Sequence, residues 1–399
     1  MLDNNIRKRY MYNNNKETQM PEEMQLASLL KKEREALGLT LKDVSHKLGF
    51  SHYQILSSME SGKRDIKAWE LASLSKIYRR DINYFLFPEE QKKESEILWR
   101  NPEPNSQQEE VKRTFFNYCE KYKALLKLLG EKEVENRGLL LLTDKSELLN
   151  KNSFEYAAKK ASDYLNLLRL GARPSCSLAK ILEDKIGVKI LYLNLPDGIS
   201  GGSTISEFGM AILVNSNDAP WRRNFDLAHE FFHLITWGHF RFEQIYKKDN
   251  IERLANVFAS AFLMPEDEIR REVRKRIASG KITYFSLIEI AQDFDVSIEA
   301  LLWRLVNLGL LDKKVVSKEI ELGKLKEAEK KTRNVDTRMR NPYLSPRYIS
   351  LAIRAFHLGK ISKAKLAEYV GKKFSEIPNF LKEFGYREGE DYSVEYIVT

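Results

Sequence analysis

Three of the six histidines of this 399-residue chain fall within the segment Leu227–His239. Two of them frame a glutamate, as His229-Glu230-Phe231-Phe232-His233. On a helix, positions four apart share a face, so both imidazoles can bind one ion while Glu230 flanks them. Zinc held in this way lowers the pKa of its water to about 7, and a neighbouring carboxylate can take that proton and deliver it to a leaving amine. Amide hydrolysis is the chemistry such a pattern points to. The competing reading is a core helix with two satisfied histidines, since Leu227, Phe231, Phe232, Leu234 and Ile235 are strongly apolar.

A third ligand is needed, and two residues compete for the place. His239 would complete a five-residue spacer after His233, a geometry that wants a glycine three residues beyond the second histidine. Thr236 occupies that position and is poor at positive φ. Glu252 lies on the next apolar-periodic stretch, Ile251–Leu263, with Asn256 one turn later on the same face. Glu252 can ligate while the Asn256 amide accepts the N–H of a ligand histidine and fixes its ring. The spacing favours Glu252. Two histidines and a carboxylate suit Zn²⁺ and also admit Mn²⁺ or Fe²⁺.

A second constellation spans Thr40–Gly62. Thr40 can cap a first helix whose apolar face is Leu41, Val44 and Leu48. Small Ser45 and then Gly49 permit a close, steep crossing into a second helix starting near Ser51 and anchored by Phe50, Ile55, Leu56 and Met59. Its leading residues His52, Tyr53 and Gln54 stand where a recognition helix meets base edges. An ordinary helical bundle with a solvated polar face would share this pattern.

Residues 26–86, with LLKKEREALGLT and the trailing ESGKR at Glu60–Arg64, resemble the phage-repressor (XRE/Cro) helix-turn-helix family. The resemblance implies His52, Tyr53, Gln54 and Ser57 as base readers, and Lys42, Lys63 and Arg64 as phosphate contacts. The segment from about 157 to 311 resembles the ImmA/IrrE metallopeptidases. The matching pieces are ISGGS at 199–203, ILVN at 212–215, RRNFDLAHEFFH at 222–233 and ERLANVFASAFLMP at 252–265. That likeness implies His229, His233 and Glu252 as metal ligands and Glu230 as general base. Phe232 departs from it, standing where the family usually has glycine. Candidates for stabilising an oxyanion are His239 and Tyr246. GKISKAKLAEYVG at Gly359–Gly371 resembles a helix-turn-helix-like tail, in which Lys360, Lys363, Lys365, Lys372 and Lys373 could touch DNA or simply face solvent.

These sites need elements to hold them. Periodicity predicts a multi-domain, mainly α chain with an α+β part that holds a small sheet and a small helical C-terminal domain. The two resemblances imply that its first domain is a five-helix-type helix-turn-helix and its α+β part a zincin-like peptidase domain. The expected boundaries are a flexible arm at 1–22, the DNA-binding domain at 23–88, a linker at 89–110 and a helical connector at 111–152. The peptidase domain follows at 153–311, then a charged linker or exposed helix at 312–342, and a last domain at 343–399. Strands are expected at Val188–Leu193, Met210–Val214 and Tyr392–Val398. With 43% hydrophobic and 31% charged residues, the composition is that of a soluble globular protein. The asparagine- and lysine-rich start has no apolar core, so no signal peptide is expected. Cys119 and Cys176 form no CxxC, which excludes a cysteine metal site and fits a reducing cytoplasm. The net charge of +9 permits a polyanionic partner without requiring one.

Together the two resemblances imply a DNA-binding transcription regulator with a built-in zinc endopeptidase that cleaves a repressor, in trans or in cis, to relieve repression in a stress or mobile-element response. Its partners would be a double-stranded operator and that repressor, with a homodimer possible and no membrane. The alternative is a non-catalytic repressor or antitoxin-like protein whose peptidase fold is a sensor.

Overall fold

A computed structural model describes residues 22–80, 82–86, 97–99, 106–131, 143–196, 199–240, 248–277, 280–333 and 344–386. Two compact units emerge: Met1–Glu94 with Pro104–Asn117, and Ser95–Glu103 with Tyr118–Thr399. Among the described residues, no helix is long and apolar enough to cross a membrane. The expected strand at Tyr392–Val398 and the arm up to residue 21 lie outside them.

Up to Leu86 the described residues of the first unit form five helices, α1 (Glu22–Ala36), α2 (Leu41–Leu48), α3 (Gln54–Glu60), α4 (Ala68–Tyr78) and α5 (Ile82–Leu86). Thr40 caps α2 in a reciprocal box with Asp43, and Gly49 ends it at φ 75°, a left-handed conformation that a side chain would strain. Leu30, Val44, Leu56, Met59, Leu74 and Tyr78 close the core. Across it, the Arg34 guanidinium donates to both oxygens of Glu60, at 2.7 and 2.9 Å.

The expected linker at 89–110 contains regular structure: a two-residue strand β1 (Leu98–Trp99) and the first turn of α6 (Ser106–Leu128). Arg113 on α6 is buried in the first unit, 2.6 Å from Glu33 of α1.

In the second unit, α7 (Lys145–Leu149) and α8 (Ser153–Leu168) lead through short helical turns, Pro174–Cys176, α9 (Leu178–Ile181) and Leu182–Ile186, into the sheet. Strands β2 (Lys189–Leu193), β3 (Gly201–Ser206) and β4 (Gly209–Asn215) join β1 in the order β1-β3-β4-β2. β2 and β4 run parallel, and β3 is antiparallel to both of its neighbours. Two of these strands carry the expected apolar runs. β3 was not legible as a strand because GGST lacks the β-branched apolar alternation that marks one.

Helices α10 (Pro220–Ile235), α11 (Trp237–Phe240), α12 (Lys248–Leu263), α13 (Glu266–Arg276), α14 (Tyr284–Asp293) and α15 (Ile298–Asn307) follow. Residues 312–333, expected as a linker or exposed helix, form α16 (Lys313–Leu322) and α17 (Lys324–Thr332), which bury Val316 and Leu325 in the main core. The chain closes with α18 (Pro346–His357), α19 (Lys363–Val370) and α20 (Ile377–Glu383). Buried Glu183 ties this end down, accepting from Ser345 Oγ at 2.5 Å and from the Tyr122 hydroxyl at 3.0 Å. Burial pushes that carboxyl up to about 7, against the lowering effect of those two hydrogen bonds.

Candidate metal centre and nucleic-acid face

Helix α10 packs on α12 through aromatic rings. Phe231 lies against Tyr164, Phe258 and Phe262 with centroids 5.6–6.2 Å apart, and Phe258 stacks on Phe262 at 5.3 Å. The interlock fixes the rotation of both helices, because apolar rings on one face leave the other face one direction to point. Phe232 belongs to the same layer, fully buried and 5.4 Å from Phe258. Its ring therefore fills the core.

On the opposite face the polar side chains converge. His229 Nε2 lies 3.1 Å from His233 Nε2 and 3.2 Å from Glu252 Oε2, and His233 Nε2 lies 3.6 Å from Glu252 Oε1. Bonds of ~2.05 Å at tetrahedral angles would separate donors by about 3.3 Å. Three donors at close to that spacing fit one tetrahedral ion and leave a fourth position for water or substrate. His229 Nδ1 is 3.0 Å from Asn256 Oδ1, so the N–H goes to the amide and the Nε2 lone pair faces the other donors. Among the described residues this is the one grouping of three His, Cys, Asp or Glu able to hold an ion. His239 points elsewhere: its Nε2 lies 3.0 Å from both the carbonyl and the hydroxyl of Thr143. Tyr246 lies outside the described residues.

Glu230 is almost wholly buried, beside the triad but not in it. Its neighbour is a residue whose part sequence reasoning missed. A Cβ built on Gly201 would sit 3.2 Å from Glu230 Oε1, 3.3 Å from its Cγ, and 2.8 Å from the Leu213 carbonyl. The paired glycines of ISGGS were the available signal, since glycine inside a strand marks close approach of another group. Gly201→Ala is expected to push the Glu230 carboxylate off its position. Metal stoichiometry should be retained while any hydrolysis that uses Glu230 falls about tenfold or more, since a misplaced proton acceptor needs to lose only ~1.4 kcal/mol of transition-state stabilisation for that. Elemental analysis alongside a cleavage assay reads both, and an alanine variant as active as the native chain would show that the contact is dispensable.

Asn256 also lines a cleft of about 940 Å³ together with Arg222, Phe225, Arg253 and Trp303.

In the first unit, Lys42, His52, Tyr53, Gln54, Ser57 and Lys63 are all exposed. The second motif helix begins later than expected: His52 precedes it, Tyr53 sits at its N-cap, and Gln54 is its first residue. Arg64 is engaged, its guanidinium donating to both Glu70 oxygens at 2.7 and 3.2 Å, while Glu70 accepts from the Lys67 N–H at the start of α4.

Residues 183–306 match the family model described as IrrE N-terminal-like domain, of peptidase family M78, and residues 30–85 match a helix-turn-helix model. The chain thus carries a helix-turn-helix region at 30–85 and an IrrE-like region at 183–306. The radiation response metalloprotease IrrE of Deinococcus radiodurans is 31% identical over 159 residues, 38% of this chain and 46% of that protein. IrrE of Deinococcus deserti is 34% identical over 104 residues, 24% of this chain and 36% of that protein. The matches thus span less than half of either relative. A Mycobacterium tuberculosis transcriptional regulator of known structure aligns over 40% of this chain and 49% of its own, with 20% identity and a TM-score of 0.29, too low for any argument to rest on it. The IrrE-like domain implies a divalent metal, usually zinc, and the donor set of α10 and α12 suits one.

Proposed function

We propose that the protein is a DNA-binding regulator whose IrrE-like domain is a working endopeptidase that cleaves a repressor-type protein and so relieves repression. The observation that carries this is the pairing of a metal-sized donor triad, His229, His233 and Glu252, with a separate buried carboxylate, Glu230, next to His229 on the same helix. A scaffold has no need of the fourth group. When bound, a zinc ion would polarise the scissile carbonyl and acidify a water. The chain's own residues do the rest. Asn256 holds the His229 ring in its ligating tautomer, Glu230 takes the proton and returns it to the leaving nitrogen, and the cleft flanked by Arg222, Arg253 and Trp303 receives substrate side chains. The test is incubation of the zinc- or manganese-loaded protein with repressors encoded beside its gene. Defined fragments support the reading, and intact repressors under both metals refute it.

Metal binding is checked separately. His233→Ala and Glu252→Ala should each lose one equivalent of ion by elemental analysis, whereas His239→Ala should keep it, because His239 is turned to Thr143. Loss in the His239 variant alone would reassign the third ligand.

The DNA-binding role rests on the exposed row before and along α3. Operator affinity should fall steeply with salt, by ~10³–10⁵ between 50 and 200 mM if six to ten phosphates are contacted. Gln54→Ala should relax sequence preference, and Lys63→Ala should weaken all sequences alike. Arg64→Ala should do more than remove a phosphate contact, since it strips the Glu70 carboxylate of its partner. Electrophoretic mobility shifts on matched and scrambled operators separate these effects, and a chain starting at Glu110 that binds equally well would overturn the assignment.

A further inference from the structure

Strand β3 touches the candidate active centre and has two edges. One pairs with β4 along its whole length, from Gly201 opposite Val214 to Ser206 opposite Gly209. The other carries β1, antiparallel, with Leu98 opposite Ser203 and Trp99 opposite Gly202. The next register position on β3 is Gly201, the residue against which Glu230 packs. β1 therefore ends one step from the carboxylate assigned to proton transfer. It is also out of place in the chain, since the sequence up to Glu94 and again from Pro104 belongs to the first unit while Leu98–Trp99 group with the second.

A protease that cuts an extended segment needs somewhere to hold its backbone, and a sheet edge does so through main-chain hydrogen bonds. Among the described residues the sheet, ordered β1-β3-β4-β2, has two outer strands, β1 and β2. The β2 edge lies two strands from β3, about 10 Å away at ~4.8 Å per strand, too far to present an amide to Glu230. β3 is the strand that touches Glu230, through Gly201, and β1 lies on its outer edge.

We propose that Leu98–Trp99 is a built-in competitor, occupying the outer edge of β3 on which an extended stretch of substrate polypeptide would add as an antiparallel strand. The inference rests on the peptidase reading of the triad. The favoured substrate is then a loop or linker able to extend, with apolar side chains like those of Ile97 and Leu98, and not a segment held in a helix. Two ladder positions make a weak strand, and Pro102 and Pro104 cannot extend a ladder without losing hydrogen bonds. Weak contacts suffice because attachment in the same chain gives the segment an effective concentration in the millimolar range. A substrate in trans at micromolar concentration is held off until β1 leaves.

The test uses the full chain and a fluorescein-labelled nonapeptide with the sequence of residues 95–103, read by fluorescence anisotropy in a zinc-loaded Glu230→Gln background. Replacing Leu98→Pro and Trp99→Pro together should tighten peptide binding at least about tenfold. Equal affinity for the two chains overturns the proposal. A second arm needs no proline: Leu98→Cys with Ser203→Cys joins the paired positions. The oxidised chain should exclude the peptide and the reduced chain readmit it, and peptide bound equally in both states is again fatal. Hydrolysis of fluorescein-casein by chains retaining Glu230 should rise at least tenfold with the two prolines. A difference in peptide affinity with zinc bound and no hydrolysis by either chain supports occupancy of the edge and refutes the peptidase reading instead.

Discussion

Glu230→Gln should abolish proteolysis while metal content, fold and operator binding stay as they are. The amide has the size of the carboxylate and can remain in the pocket against Gly201, so packing changes little. It cannot take a proton. Peptide hydrolysis needs a water deprotonated at attack and a leaving nitrogen protonated afterwards, and one carboxylate serves both steps, a contribution of typically ~10²–10⁴-fold. In the cell the target promoters should stay repressed through the inducing signal. The measurement is fragment detection on a gel alongside a reporter for derepression. A variant that derepresses like the native protein would favour the non-catalytic sensor, since a sensor has no use for the proton.

Glu33→Ala should have the largest effect on stability, and it should be confined to the first unit. Glu33 is buried and receives Arg113 at 2.6 Å, Arg80 at 2.9 Å and the Tyr84 hydroxyl at 2.6 Å. Burial alone would raise its carboxyl, but the Arg80 hydrogen bond and charge, with Tyr84 and Arg113, hold it below the usual carboxylate range. Removing it leaves two guanidinium groups short of their counter-charge in a dry site. Breaking a buried pair from one side costs about 3–5 kcal/mol, or at least ~100-fold in the opening equilibrium. Hydrogen exchange in the intact chain would show it: amides of α1 should exchange ~100-fold faster while those of β3 and β4 are unchanged. Unaltered protection in α1 would mean that Arg80 and Arg113 find other partners.

The sequence by itself determined the local pieces. Positions four apart on a helix put His229 and His233 on one face whatever surrounds them, and Thr40, Ser45 and Gly49 specified a cap and a tight turn through chemistry confined to neighbouring residues. The mostly helical class followed from periodicity for the same reason, and the two domain types followed from the resemblance that the local motifs carry. Tertiary structure decided everything that depends on which distant segments meet. The rotation of α12 that brings Glu252 to the histidines is set by the Phe231–Phe258–Phe262 interlock, and the exclusion of His239 is set by a hydrogen bond to Thr143, 96 positions earlier. The glycine pair of ISGGS hints at a close approach without naming the group, and only the fold shows that Glu230 is what meets Gly201. Leu98–Trp99 reads as linker because two residues are too short to show an alternation, and their strand exists only because β3 offers an edge to pair with. Side-chain periodicity is a property of one segment, whereas a ladder or an ion site belongs to two or more, and no single stretch of sequence encodes the meeting.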